Sequence, residues 1–140
     1  MWDNTKWTGL SKVETVYDAT GTGVLYTLDY RWDGNSDAWM PSSKSTSIKD
    51  EAGRTTEQIS QSYNAGTDTW QNTYRYEYAY HGSETSKNNY YKWFNGEWTL
   101  ITQSEKTYGE NGLVKTSISS SWSDGSIVSY EKTTNYYNNE

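Results

Sequence analysis

The chain repeats itself. A tyrosine stands ten residues after Trp7, Trp70, Trp98 and Ile127, at Tyr17, Tyr80, Tyr108 and Tyr137, while Lys49 holds that place after Trp39. The next position reads Asp18, Asp50, His81, Gly109 and Asn138, and three further on come Gly21, Gly53 and Gly112, with Glu84 as the exception. A second aromatic closes each unit, at Trp32, Tyr63, Trp93 and Trp122. The units span 7–38, 39–69, 70–97 and 98–126, and a half unit covers 127–140. Self-similarity at this period means one supersecondary element stacked on copies of itself, here in a single repeat domain.

The spacing predicts strands. Asp or Asn opening a short loop that ends in Gly is hairpin-turn chemistry, because the side chain caps nearby backbone and Gly accepts the positive φ. On this reading Asp18, Gly21, Asp33, Asp50, Gly53 and Gly112 are structural turn residues. Between the turns lie segments of about ten residues, near 7–17, 22–32, 39–49, 54–63, 70–80, 85–93, 98–108, 113–122 and 127–137. Composition agrees. Hydrophobic residues are only 32% of the chain, but it carries 14 Tyr and 8 Trp with a single Pro. A disordered segment lacks such rings, and Tyr, Trp and Thr favour strands over helices. The expected fold is all-β, an antiparallel up-and-down meander of about nine strands.

Alternation along strands then sorts side chains onto faces. A turn at 18–21 would set Tyr17 opposite Thr22, Val13 opposite Tyr26 and Trp7 opposite Trp32. One face of the first unit would collect Trp7, Val13, Tyr17, Val24, Tyr26, Leu28, Tyr30 and Trp32, and the other Lys12, Glu14, Thr27, Asp29 and Arg31. In the third unit the same rule gathers Trp70, Tyr74, Tyr76, Tyr78, Tyr80, Tyr91 and Trp93 against Arg75, Glu77, Asn88 and Lys92. The second and fourth units differ from these by an odd residue, since Asp50 to Tyr63 and Gly109 to Trp122 each span thirteen. An odd difference flips faces, so each of those two hairpins is expected to carry a bulge or a shifted turn. An aromatic face on a nine-stranded sheet should be covered, by the sheet coiling over it or by another chain. The serines at 43, 45, 60, 117 and 119 are too polar for a closed-barrel core, so an open coiled sheet is favoured over a barrel.

Composition also excludes function classes. A net charge of −6 without basic clusters argues against nucleic acid. No apolar run is long enough to insert in a membrane as a helix. The chain has no Cys and one His, His81 in a turn, so nucleophile–base arrangements lack parts and no catalytic residue is expected. Asp33, Asn35 and Asp37 imitate the opening of a calcium loop. Ala38 and Lys44, however, stand where such a loop needs Gly and a bidentate Glu. No metal and no cofactor are expected.

The motif W-x(4)-K, then Tyr-Asp-x-x-Gly, then Y-x-W-D and a further Trp is carried by Trp7, Lys12, Tyr17, Asp18, Gly21, Tyr30, Trp32, Asp33 and Trp39. It returns as Trp39, Lys44, Asp50, Gly53, Tyr63 and Trp70. This pattern resembles the Tyr/Trp-rich hairpin repeats of secreted and surface proteins from Bacteroidota and, more distantly, the YD repeats of Rhs-type proteins. The resemblance implies an exported, surface-associated module without a defined activity. His81 and Glu84 in the third turn depart from it.

Two functional expectations follow. The first is a non-enzymatic structural or adhesive module, outside the cell or on its surface, that pairs with itself end to end by strand addition into a filament. The opening residues, with Trp2 and Asp3 ahead of Trp7, read as the closing turn of a preceding unit, as if cut from a longer array. The alternative is a carbohydrate-binding module whose ligand platform is the stripe Trp70, Tyr74, Tyr76, Tyr78, Tyr80, Tyr91 and Trp93, with glycans as partners.

Overall fold

A computed structural model describes residues 11–21 and 23–137. Trp2, Trp7, Thr22 and Asn138 lie outside the described residues, and with them the expected Trp7–Trp32 pair; Tyr17 pairs with Val24, not with Thr22 as expected. Nine strands follow one another: β1 (Ser11–Tyr17), β2 (Val24–Asp33), β3 (Ala38–Lys49), β4 (Thr55–Asn64), β5 (Thr69–His81), β6 (Glu84–Phe94), β7 (Glu97–Tyr108), β8 (Val114–Ser123) and β9 (Ser126–Thr134). They form one antiparallel sheet in sequence order, and it does not close into a barrel.

The turns follow local chemistry. At Asp50 and Gly109 the backbone N–H donates to the carbonyl four residues on, and Gly53 and Gly112 at the loop ends adopt φ of 77°. The Asp18 loop is one residue longer, its N–H reaching the Gly23 carbonyl at 2.7 Å. The third loop shrinks to Gly82-Ser83 between the paired His81 and Glu84. These loop lengths absorb the odd residues that distinguish the units. On the opposite edge, Asn95-Gly96 and Asp124-Gly125 each place two consecutive residues at positive φ. That is the two-residue hairpin turn whose twist matches its strands. The longer 33–38 and 64–69 loops end in Asp37 and Asp68 at φ of 53° and 54°.

Bulges are the general rule of the sheet. All eight strand pairs shift register once, and each time the later strand carries the extra residue: Leu25, Ser42, Thr56, Thr73, Ser86, Ile101, Lys115 and Val128. The bulges expected in the second and fourth units are present. They are not confined there, because each hairpin in turn bends and twists its second strand.

Universal bulging corrects the expected faces. Val13 opposes Asp29, not Tyr26, and Lys12 opposes Tyr30. Directly opposed residues share a face. Lys12 and Glu14 therefore stand with Tyr30 and Leu28, and Val13 points the other way, 60% exposed. Followed strand by strand, one face collects Trp32, Trp39, Tyr63, Trp70, Tyr91, Trp93, Trp98 and Trp122 together with Lys12, Glu14, Arg75 and Glu77. This is the tryptophan face. The other carries Ser43, Ser45, Ser60, Ser117 and Ser119 around the tyrosines of β5. This is the serine–tyrosine face. Neither is purely aromatic nor purely charged.

The sheet is a single layer. Among the described residues no hydrophobic side chain is buried, and Ser120, 4% exposed, is the sole buried polar one. Substantial contacts run only between strands adjacent in sequence. What holds such a sheet is its ladder of backbone hydrogen bonds and its cross-strand side-chain pairs.

Candidate functional site: two aromatic surfaces

Each second turn of a unit is flanked by an aromatic pair on the tryptophan face. Trp32 and Trp39 meet edge to face at 5.3 Å, Tyr63 and Trp70 at 5.2 Å, and Trp93 and Trp98 edge to face at 4.9 Å. Trp122 opposes Ile127 in the fourth place. The pairs form a row along one edge of the sheet. Edge-to-face geometry aims the positive ring edge at the negative face of its neighbour. The tryptophans that close one hairpin and open the next are thus partners across a turn.

Beside this row, the first and third units build the same polar cluster. Tyr30 donates its hydroxyl to Glu14 at 2.7 Å, and the Lys12 ammonium lies 4.6 Å over the Tyr30 ring. Tyr91 donates to Glu77 at 2.7 Å, with the Arg75 guanidinium 5.5 Å over its ring. Arg75 also pairs with Glu57 and Glu77, at 2.6 Å each. Hydrogen bonds from Lys12 and then Tyr30 hold the Glu14 carboxyl below the usual carboxylate range. Burial raises the Glu77 carboxyl, but hydrogen bonds from Tyr91 and Asn89 with the charges of Arg75 and Lys87 outweigh it, and the net direction is down. Tyr91 is pushed up, by burial first and by Glu77 second. Each ring supplies apolar area while its tip joins an ion cluster, which is how an aromatic side chain serves a sheet wetted on both sides.

The expected ligand stripe is divided. Trp70, Tyr91 and Trp93 belong to the tryptophan face, whereas Tyr74, Tyr76, Tyr78 and Tyr80 occupy the other, with Asn88 and Lys92 beside them. The Thr73 bulge is the cause, since it inserts one residue between Trp70 and Tyr74 and breaks the alternation. Tyr91 opposes Arg75, a residue expected on the far side. On the serine–tyrosine face Tyr90 completes a stack that sequence reasoning missed, 4.9 Å from Tyr76 and 6.0 Å from Tyr74, with Tyr78 6.2 Å from Tyr76. The adjacent tyrosines 90 and 91 point to opposite faces, so the stripe rule kept the wrong one.

The tyrosine ten residues after the start of the third, fourth and half units has a structural task. Tyr80 donates to the Thr55 carbonyl at 2.6 Å and Tyr137 to the Val114 carbonyl at 2.9 Å. Thr55 and Val114 are the first residues of β4 and β8, just past the preceding unit's turn. Tyr108 reaches Glu84, the first residue of β6, at 3.4 Å. These tyrosines staple each hairpin to the one before. Arg54 adds a second tie: it bonds Asp50 at 2.7 Å, donates to the Gly82 carbonyl, and covers the Tyr80 ring at 4.7 Å.

The acids in the turns are engaged locally. Asp18 Oδ1 accepts from the Thr20 N–H at 2.9 Å, and Asp50 Oδ1 from Ala52 at 3.0 Å. Asp33 accepts from Asn35 N–H at 3.0 Å and Ser36 hydroxyl at 2.6 Å, and the Ser36 bond first among these lowers its pKa. Among the described residues no group of three or more His, Asp or Glu is placed to hold a metal ion. His81 lies stacked 4.2 Å from Tyr108.

No protein-family model matches this chain, and no curated protein does. Solved structures do. A protein of unknown function from Bacteroides fragilis superposes with a TM-score of 0.62 at 14% identity, over 89% of this chain and 93% of its own. A DUF3836 family protein from Bacteroides vulgatus gives 0.56 at 20% identity, over 66% of this chain and 92% of its own. Another DUF3836 family protein, from Parabacteroides distasonis, gives 0.51 at 15% identity, over 65% and 88%. At these identities the likeness is one of fold, a fold found in Bacteroides and Parabacteroides proteins.

Proposed function

We propose that the chain is a non-enzymatic structural or adhesive module of an exported surface protein, built like the Tyr/Trp-rich YD-like hairpin repeats of Bacteroidota. One observation carries this reading. The sheet spends its aromatic side chains on two open faces, with no hydrophobic residue buried among those described. Among the described residues such a layer offers broad surface with open, shallow depressions, which suits contact with extended partners better than conversion of a small substrate.

Self-assembly by strand addition is part of the proposal, and the strand count refines it. In an up-and-down meander all odd strands run the same way, so the outermost strands β1 and β9 are parallel to each other. Copies that pair antiparallel with equivalent faces on the same side meet like to like, for example β9 on β9, about a two-fold axis. Centred on Tyr130, that pairing sets Ser126 against Thr134, Ser129 against Glu131 and Val128 against Lys132, so no like charges oppose. Sedimentation velocity over rising concentration tests it. A concentration-dependent dimer that Val128→Lys abolishes is expected, because lysines on an edge disfavour pairing. Monomer alone at the highest concentration ends the assembly reading.

The second reading is carbohydrate binding. It is favoured by the rigid aromatic row of the tryptophan face, whose rings are half-exposed and held by their partners.

A further inference from the structure

We infer that the tryptophan face binds a neutral, extended polysaccharide, laid across the strands along the row of aromatic pairs. The inference rests on the carbohydrate reading above and gives it a place and a ligand class.

The first support is repetition. Three shallow depressions lie along the row, each between aromatic rings contributed by neighbouring strands. Trp32, Pro41 and Tyr63 line one together with Arg31 and Asp33, Trp70 and Trp93 the next, and Trp98, Leu100 and Trp122 the third together with Glu97. Each is displaced from the last by two strands, which is roughly 10 Å at ordinary strand spacing. A row of aromatic depressions at similar spacing, with the central one uncharged, matches a ligand that itself repeats. A small molecule would need only one.

The second support is the chemistry of the central depression. Its lining is Gln61, Trp70, Gln71, Asn72 and Trp93, without a charged side chain, in a protein whose residues are 21% charged. Gln61 donates its amide to Asn72 Oδ1 at 2.9 Å, which orients both amides. The Gln61 carbonyl and the Asn72 NH2 are left as one acceptor and one donor beside two indoles. Sugar rings ask for this combination: apolar C–H faces that stack on aromatic rings, and hydroxyls that donate and accept. A polyanion would find no cation here. An extended peptide would be recognised by pairing at a sheet edge, not by lying across a face.

The third support is rigidity. Trp70 and Trp93 are each fixed against an aromatic partner across a turn, Tyr63 and Trp98, so little side-chain freedom is left to lose on binding.

Affinity electrophoresis through gels cast with soluble neutral polysaccharides (a β-glucan, a xylan, a mannan) and with an acidic one (polygalacturonate) tests the inference. The expected result is retardation by at least one neutral polymer, weakened about tenfold by Trp70→Ala or Trp93→Ala. Tyr76→Ala, on the opposite face, is expected to bind as the wild type does. Asn72→Asp keeps every ring and adds a charge to the central depression. Its loss of binding supports the site even if a tryptophan variant fails to fold. Retardation by none of the polymers, neutral or acidic, overturns the inference and the carbohydrate reading with it. Binding that survives both tryptophan variants and Asn72→Asp, but is lost in Tyr76→Ala, overturns this site and leaves carbohydrate binding standing on the other face. Retardation by the acidic polymer alone overturns the ligand class.

Discussion

The odd and even units share a backbone and differ in what they put on it. In every unit the residue five after the opening tryptophan faces the residue two before the closing aromatic: Lys12 with Tyr30, Lys44 with Gln61, Arg75 with Tyr91, and Gln103 with Ser120. In the first and third units that pair is a cation over a tyrosine, completed by Glu14 or Glu77. The second unit sets Lys44 beside Gln61, with the ammonium 4.4 Å over the Tyr26 ring, and the fourth has Gln103 and Ser120; Gln61 bonds Asn72, and Gln103 bonds Asn89. The cation–tyrosine–glutamate cluster is thus confined to the first and third hairpins. The central depression, between Trp70 and Trp93, borrows its amides from the second unit and the start of the third. One scaffold register supports two kinds of surface because a single-layer sheet decides each position by its neighbours on that face, with no shared core to satisfy.

The sharpest way to break this comparison is to remove Arg75. Glu57 stands directly opposite Glu77, and Arg75 neutralises both. Arg75→Ala leaves two carboxylates facing each other, and a stability loss of about 2 kcal/mol by urea unfolding is expected. Gln103→Ala, at the same place in the fourth unit, should lose only about 0.5–1 kcal/mol. Equal losses would mean that the alternation has no energetic content.

Next in size is the staple between units. Tyr80→Phe removes the bond to the Thr55 carbonyl and should lower stability by about 1 kcal/mol. Tyr108→Phe should lose less, because its 3.4 Å contact with Glu84 is long. The second unit lacks the staple, with Lys49 where the others have tyrosine. Lys49→Tyr is expected to supply it towards the start of β2, raising stability by about 0.5–1 kcal/mol.

The pH dependence is the smallest and most distributed effect. Glu14 and Glu77 have lowered pKa values in the folded state, so the unfolded chain binds more protons than the folded one at acid pH. The stability they supply is present above the ordinary carboxyl pKa and is lost as pH falls through their lowered values. Tyr30 and Tyr91 are raised, so their share is present below the ordinary tyrosine pKa and lost as pH rises through the raised values. Glu77→Gln should flatten the acid limb of a thermal-melt series. An unchanged acid limb would remove the third unit's cluster from the account.

Legibility differed sharply between turns, strands and faces. Nine strands, their order and the places of the turns were readable, because Asp, Asn and Gly carry their conformational preference with them; the lengths of the first and third loops were not. Gly53 and Gly112 end loops at positive φ whatever surrounds them. The candidate stripe was not readable as one surface: Trp70, Tyr91 and Trp93 parted from Tyr74, Tyr76, Tyr78 and Tyr80, and Tyr90 went unnoticed. The stapling role of Tyr80 and Tyr137 was signalled by their repeat position alone, which marked them without naming the carbonyl they would meet.

By itself, then, the sequence determined the elements, since turn residues act on their own backbone and the hairpin period leaves the meander as the simplest arrangement. Only tertiary structure decided which side each ring faces. The extra residue of each bulge is Leu, Ser, Thr, Thr, Ser, Ile, Lys or Val in turn, a set with no common chemistry. A bulge is a property of two strands paired with a twist, and one unpaired residue per hairpin is enough to exchange the faces.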